Sequence, residues 1–153
     1  NVASIMANLM LQGRAPIIYG DGEQRRCFSY IDDCVGVLGA MATAPQVVGE
    51  IINIGPDEEF ISVNELSAKL ANITGSNLAP VHMPDRPREV KLATCSADKA
   101  RKLLGYETRV FLDDGLRQLV DWIRTSGPKP FVYHFDIEIH NALLPKTWKD
   151  RLI

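Results

Sequence analysis

Apolar residues over the first dozen positions recur at steps of three and four. Val2, Ile5, Met6, Leu9 and Met10 share one helical face, and the pattern ends at Gly13. Pro16 opens a short extended run, Ile17-Ile18-Tyr19, and Gly20-Asp21-Gly22 predicts a turn. Weak alternation from Arg26 to Tyr30 predicts a second strand. Asp32 and Asp33 suit the positive start of a helix. Cys34, Val35, Leu38 and Met41 carry its stripe to about Thr43, and Pro45 breaks it. Glu50 to Ile54 reads as a short apolar strand that stops at Gly55-Pro56.

Ser62-Val63-Asn64-Glu65 has the form of a capping box, in which the serine hydroxyl takes the third helical amide and the glutamate reaches back. Leu66, Leu70 and Ile73 continue that helix to Gly75. Residues Ala79 to Met83 predict another strand, and the polar, proline-interrupted stretch from Asp85 to Glu89 a loop. Ser96 is placed to cap a helix ending at Gly105. Leu112, Leu116, Leu119, Val120 and Ile123 mark a last helix, closed by Gly127-Pro128. Short strands alternating with helices give an α/β class, a small mixed domain with about five helices. The strands are few, which leaves open whether they complete a sheet by themselves. The boundaries expected are a domain over residues 1–127 and a tail over 128–153. The tail mixes Phe131, Tyr133, Phe135 and Trp148 with charges. It is too apolar for free disorder, so it should pack on the domain or on a partner chain.

Composition narrows the function classes. The 153 residues fit one ordinary domain, and 46% hydrophobic residues can supply a core. A net charge of −2 gives no global pull toward nucleic acid or anionic membrane. No apolar run approaches the ~20 residues of a membrane helix, and Asn1 to Gln12 lacks the basic leader and cleavage site of a signal peptide. Cys27, Cys34 and Cys95 form no Cys-x-x-Cys pair and stand in no ligand spacing with His82, His134 or His140. Reduced thiols in a cytoplasmic protein, without a metal, are the expectation.

Three stretches carry a resemblance. The first is Tyr19-Gly-Asp-Gly-Glu-Gln-Arg-Arg-Cys-Phe-Ser-Tyr-Ile-Asp-Asp33. The second is Asn53-Ile54-Gly55 followed by Ser62-Val63-x-Glu65-Leu66. The third is Arg86-Pro87-Arg88-Glu89-Val90 with Ser96-x-Asp98-Lys99-Ala100 and Leu103-Leu104-Gly105-Tyr106. In order and spacing, residues 1–125 resemble the carboxyl-terminal, sugar-nucleotide-binding half of the extended short-chain dehydrogenase/reductases. These are the NAD-dependent nucleotide-sugar epimerases, dehydratases and decarboxylases. The resemblance implies that Arg26 and Arg86 bind the nucleotide diphosphate. It implies that Ile18 and Tyr19 run beside the uracil or thymine base, and that Asn1 lies near the sugar-diphosphate. The expected ligand is therefore a UDP- or dTDP-linked sugar. The chemistry is sound on its own, because a planar guanidinium offers the paired donors a diphosphate accepts. Two positions depart from the family: Cys27 replaces an acidic residue and Arg88 a glycine.

Catalysis in that family needs a tyrosine with a lysine four residues later and a glycine-rich strand–turn–helix for the dinucleotide. Tyr19, Tyr30, Tyr106 and Tyr133 are followed at that spacing by Glu23, Cys34, Val110 and Ile137. Gly36-x-x-Gly39-x-x-Ala42 sits inside a helical stripe and reads as a close helix-packing face. No catalytic residue and no cofactor site are therefore assigned to this chain. The resemblance places NAD and the base in a preceding cofactor domain of a longer parent.

Without that domain, Val35, Leu38, Ile51, Ile52 and Ile54 must face solvent or find substitutes. At ~1.5–3 kcal/mol for each such side chain buried, self-association, strand exchange or a rearranged fold is the expected outcome. Blander readings stand beside these. Either arginine fits a surface ion pair, and Tyr19 equally fits a half-buried strand aromatic. Asp32 and Asp33 fit helix-start residues, Asp98 and Lys99 a surface pair, and Ser62 and Ser96 caps without a histidine to activate them. His82 fits a plain strand end and Trp122 a core-facing or partly buried helix position. Three function classes remain: part of an NAD-dependent epimerase/dehydratase, a non-catalytic nucleotide-sugar-binding module, and an associating truncated remnant.

Overall fold

The Asn1 side chain accepts the Ala3 amide at 3.0 Å and so starts helix α1, Val2–Leu11. The computed structural model describes residues 1–136, 138 and 141–152; His140 lies outside them. The chain divides into two units that interleave in sequence. The first comprises Asn1–Gln24, Ser62–Lys91 and Leu116–Ile153, and the second Arg25–Ile61 and Leu92–Gly115.

In the first unit, α1 packs on α3 (Val63–Thr74). Met6, Ala7, Leu9 and Met10 on the one helix and Leu66 and Leu70 on the other are all buried. The capping box is complete: the Ser62 hydroxyl accepts the Glu65 amide at 3.1 Å, and the Glu65 carboxylate accepts the Ser62 amide at 2.6 Å. Gly75 closes α3 at φ 76°, the left-handed cap that glycine adopts at least cost. Strand β1 (Ile17–Tyr19) pairs in parallel with Val81–Met83. From Leu116 onward the last long helix belongs to this unit and buries Leu116, Val120 and Ile123. Trp122, expected to face the core or to be partly buried, is 65% exposed, because it lies off the face carried by those three residues. The tail adds a short helix, Lys146–Lys149, which the sequence pattern does not announce. Asn8 ties the tail's start to α1, donating to the Lys129 carbonyl at 2.7 Å and accepting its amide at 3.1 Å.

The second unit holds β2 (Arg25–Arg26), α2 (Ile31–Met41), β5 (Leu92–Ala93) and α4 (Asp98–Leu104); β3 (Ile61–Ser62) and β4 (Val81–Met83) precede the last two in the chain. Strand β2 pairs in parallel with β5, in the sheet order β3-β2-β5. The expected strand from Arg26 to Tyr30 is thus only two residues long and starts one residue earlier, since its ladder with β5 ends at Ala93. The expected strand Glu50–Ile54 does not form. A strand requires a ladder partner, and none pairs with this run among the described residues. Ile52 and Ile54 pack instead on Val37, Ala97, Ala100 and Tyr106, whereas Ile51 is 88% exposed. Val35 and Leu38 are exposed as well. A Cβ on Gly36 or Gly39 would meet nothing within 4 Å, so among the described residues this face of α2 is open and not the close-packing face its glycines suggest.

Helix α4 starts at Asp98, with Ala97 at its cap position, so the expected Ser96 cap sits one residue early. The Ser96 hydroxyl accepts the Asp98 amide at 3.1 Å, and the Asp57 carboxylate accepts the Ala97 amide at 2.8 Å. Asp98 and Lys99 do not pair with each other. Neighbours on a helix point apart, and Asp98 meets Arg101 while Lys99 meets Glu50 at 2.8 Å. Asp33 accepts the amides of Arg109 and Val110, both at 3.0 Å, and so is a structural acceptor. Helix α5, Leu112–Ser126, begins in this unit, where Glu59 accepts the Leu112 amide at 2.6 Å.

Candidate functional site

Two of the five predicted binding residues are brought together in the first unit. Parallel pairing sets Ile18 opposite His82 and Tyr19 opposite Met83, and the ladder continues as the Gly20 amide donates to the Met83 carbonyl at 2.9 Å. Both strands therefore end at the same level. The β1 turn and the loop after β4 leave side by side. A Cβ on Gly20, at φ 66°, would lie 2.0 Å from the Asp85 carboxylate. Lys91 bridges the two segments, 3.4 Å from Asp21 and 3.7 Å from Asp85. The Glu23 amide, and then Lys91, hold the Asp21 carboxyl below the usual carboxylate range.

This junction delivers Arg86 over the Tyr19 ring, with 4.7 Å from the guanidinium carbon to the centroid. Glu89 fixes the guanidinium from its other edge, accepting from Nε at 2.8 Å and Nη2 at 3.4 Å. Nη1 takes no part in that pair. The Tyr19 hydroxyl is held in turn by Thr147, whose amide donates to it at 2.9 Å and whose hydroxyl shares a further hydrogen bond with it. His82 Nδ1 lies 2.7 Å from the Gly20 carbonyl, a contact that supports the turn. Arg88 stands at φ 60°, the left-handed conformation that the glycine of the family pattern would adopt freely.

Alternation along β1 separates the roles of its residues. Ile18 is 1% exposed, so its side chain belongs to the core and only its backbone is left to meet a ligand. Strand β1 pairs with β4 alone among the described residues, leaving its other edge without a strand. Asn1, its side chain engaged as the cap of α1, also lines a cleft of about 610 Å³ whose walls include Trp122, Phe131, Arg14 and Lys129.

Arg26 stands in the second unit, on β2. Its Nη1 donates to the Arg25 carbonyl at 2.7 Å, and its side chain is half-buried. Neighbouring Arg25 braces the local structure. It donates to the Phe60 carbonyl at 3.2 and 2.8 Å and lies 5.7 Å over the Phe60 ring. Cys27, which replaces the family's acidic residue, meets the Thr94 hydroxyl at 3.4 Å.

Sequence reasoning misses the strongest electrostatic cluster. Arg101 joins Asp57, Glu58 at 2.8 Å and Asp98 at 3.1 Å. The Arg101 guanidinium, then the Ala97 amide, bring the Asp57 carboxyl from its ordinary 3.8 to about 2. The cluster ties α4 to the segment before β3 and is structural. No signal in the sequence distinguishes these charges from solvated ones, since Asp57 and Arg101 lie 44 positions apart.

Among the described residues no group of three or more His, Cys, Asp or Glu is arranged to hold a metal ion, and no helix is long and apolar enough to cross a membrane. A dinucleotide cradle needs glycines between a strand and a helix start, and Gly36 and Gly39 lie within α2.

Comparison with known proteins places this geometry in a family. The model of a family described as GDP-mannose 4,6 dehydratase matches residues 1–119. UDP-glucuronate 4-epimerase of Thermodesulfobacterium geofontis is 33% identical over 109 residues, covering 71% of this chain and 33% of that protein. A putative UDP-glucose 4-epimerase of Methanocaldococcus jannaschii is 34% identical over 127 residues, covering 82% and 40%. A crystal structure of UDP-glucuronic acid 4-epimerase from Bacillus cereus, in complex with UDP-glucuronic acid and NAD, superposes with a TM-score of 0.76 at 34% identity, over 83% of this chain and 40% of that one. The chain thus spans well under half the length of the relatives it matches.

The chain belongs to the nucleotide-sugar epimerases and dehydratases of the extended short-chain dehydrogenase/reductase family. Within that family it corresponds to the carboxyl-terminal, substrate-binding part of a Rossmann-type enzyme.

Proposed function

We propose that this chain supplies the nucleotide-diphosphate contacts of an NAD-dependent enzyme acting on a UDP- or dTDP-sugar, and that a separate cofactor domain carries NAD and the catalytic tyrosine–lysine pair. The observation that carries this reading is Arg86, set over the Tyr19 ring and aligned by Glu89 where β1 and β4 end. A guanidinium held this way offers N–H donors to phosphate oxygens at little further ordering cost. Arg26 provides the second cation, the β1 backbone meets the pyrimidine edge, and Asn1 lies toward the sugar-diphosphate. By itself the chain binds and does not catalyse, as none of its tyrosines has a lysine four residues on.

The open face of α2 and Ile51 form the surface that takes the cofactor domain, or a second copy in its absence. Self-association of the isolated chain in a reduced, cytoplasmic setting follows from those exposed side chains. The test of the binding reading is UDP affinity of the full chain and its variants. Arg86→Ala and Arg26→Ala should each weaken UDP about tenfold or more, in line with charge-assisted contacts worth about 1.5–3 kcal/mol. Wild-type affinity in both variants would show that the pocket has been assigned wrongly.

A further inference from the structure

The family match ends at residue 119, yet the group that fixes Tyr19 lies 28 positions beyond it, at Thr147 (147 − 119). Thr147 is a polar residue 4% exposed on an otherwise open tail. Its amide and hydroxyl both engage the Tyr19 phenol. The tail around it is ordered by its own contacts and is tied back to the rest of this unit through Arg14. The Tyr133 hydroxyl reaches the Thr147 carbonyl at 3.5 Å, Arg151 lies 5.3 Å over the Tyr133 ring, and the Arg14 guanidinium donates to the Leu152 carbonyl at 2.9 Å. The Leu152 amide closes the turn onto the Thr147 carbonyl at 2.9 Å.

A tyrosine hydroxyl on a strand end could point to water at no loss. Here two hydrogen bonds from one residue remove that freedom and set the plane of the ring. The same ring carries the Arg86 guanidinium on its face, 4.7 Å away. Orientation therefore passes from Thr147 to Tyr19 and from Tyr19 to Arg86. We infer that Thr147 is a positioning residue for the diphosphate-binding arginine, so that the tail outside the family match completes the sugar-nucleotide site. The inference rests on the binding role proposed for Arg86.

Full-length variants test it with UDP and uridine as probes. Thr147→Val keeps shape and amide but removes the hydroxyl; Thr147→Ser keeps the hydroxyl. Tyr19→Phe removes the bond with the Thr147 hydroxyl and the bond from the Thr147 amide as well, and keeps the ring. Loss of one such bond corresponds to about a three- to tenfold change in affinity. Thr147→Val should weaken UDP by that factor and Tyr19→Phe by at least as much, the double variant should weaken it no further than Tyr19→Phe, and Thr147→Ser should bind as the wild type does. Uridine, which has no phosphate for Arg86, should bind all of them equally. The Arg86 Nε–H resonance should shift in Thr147→Val. A uniform loss for UDP and uridine would show a merely structural role and overturn the inference. So would wild-type or tighter UDP binding by Thr147→Val and Tyr19→Phe while Arg86→Ala is weakened. If Arg86→Ala binds UDP as wild type does, or the wild-type chain binds none, the binding reading itself falls and the inference with it.

Discussion

Different forces order each of the two units internally. In the first, α1 and α3 bury a continuous set of large side chains, among them Met6, Leu9, Leu66 and Leu70, and the tail folds back on it. In the second, a small cluster around Tyr106 is supplemented by the Arg101 carboxylate network, while Val35, Leu38 and Ile51 stay exposed. The first unit buries the larger apolar set, though Trp122, Phe131, Phe135 and Trp148 stay exposed on it as well. The second adds charge pairs to a small apolar cluster and leaves Val35, Leu38 and Ile51 exposed.

The largest effect should come from the apolar unit. Leu66→Ala, at a fully buried site, should cost about 2–5 kcal/mol, read as a lower denaturation midpoint at constant slope. An effect under ~1 kcal/mol would mean the α1–α3 packing is not what holds that unit.

Acid should act on the other unit. The Asp57 carboxyl is held below its ordinary 3.8, at about 2, chiefly by Arg101. A lowered folded value means its contribution is fully present above 3.8 and is lost as pH falls through about 2. Amide-exchange protection of Ala97 and its neighbours should fade over that window, and Asp57→Asn should flatten the dependence. An identical acid profile in the variant would remove the network from the account.

Smaller effects probe the open face and the binding loop. Leu38→Lys should shift the native mass toward monomer and change stability by no more than about 0.5 kcal/mol, as for an exposed site. An unchanged oligomer would move the contact elsewhere. Arg88→Gly should stabilise slightly, by about 1 kcal/mol at most, by relieving a left-handed arginine. Destabilisation would show that the Arg88 side chain makes a contact worth more than the strain.

The same division explains what is legible in the sequence. Local chemistry is readable: the Ser62–Glu65 capping box, the Gly75 and Gly105 helix ends and the Ile17–Tyr19 run all form as the pattern predicts. Elements that depend on distant partners are not. Glu50–Ile54 carries a strand's pattern but finds no ladder, and Ser96 yields the cap position to Ala97. Trp122 follows a helical stripe it does not share. At the candidate site, motifs single out Tyr19 and Arg86, but their stacking and the Thr147 contact arise from residues 67 and 128 positions from Tyr19, a pairing no local spacing encodes (86 − 19 and 147 − 19).

The central claim is that Arg86 over Tyr19 is a diphosphate site that works without a cofactor fold. The most direct measurement is a calorimetric titration of the full chain with UDP, dTDP and NAD, with native mass taken on the same sample. The account predicts saturable binding of a pyrimidine diphosphate, no heat with NAD, and a mass above that of one chain. Binding of NAD without UDP or dTDP would contradict it.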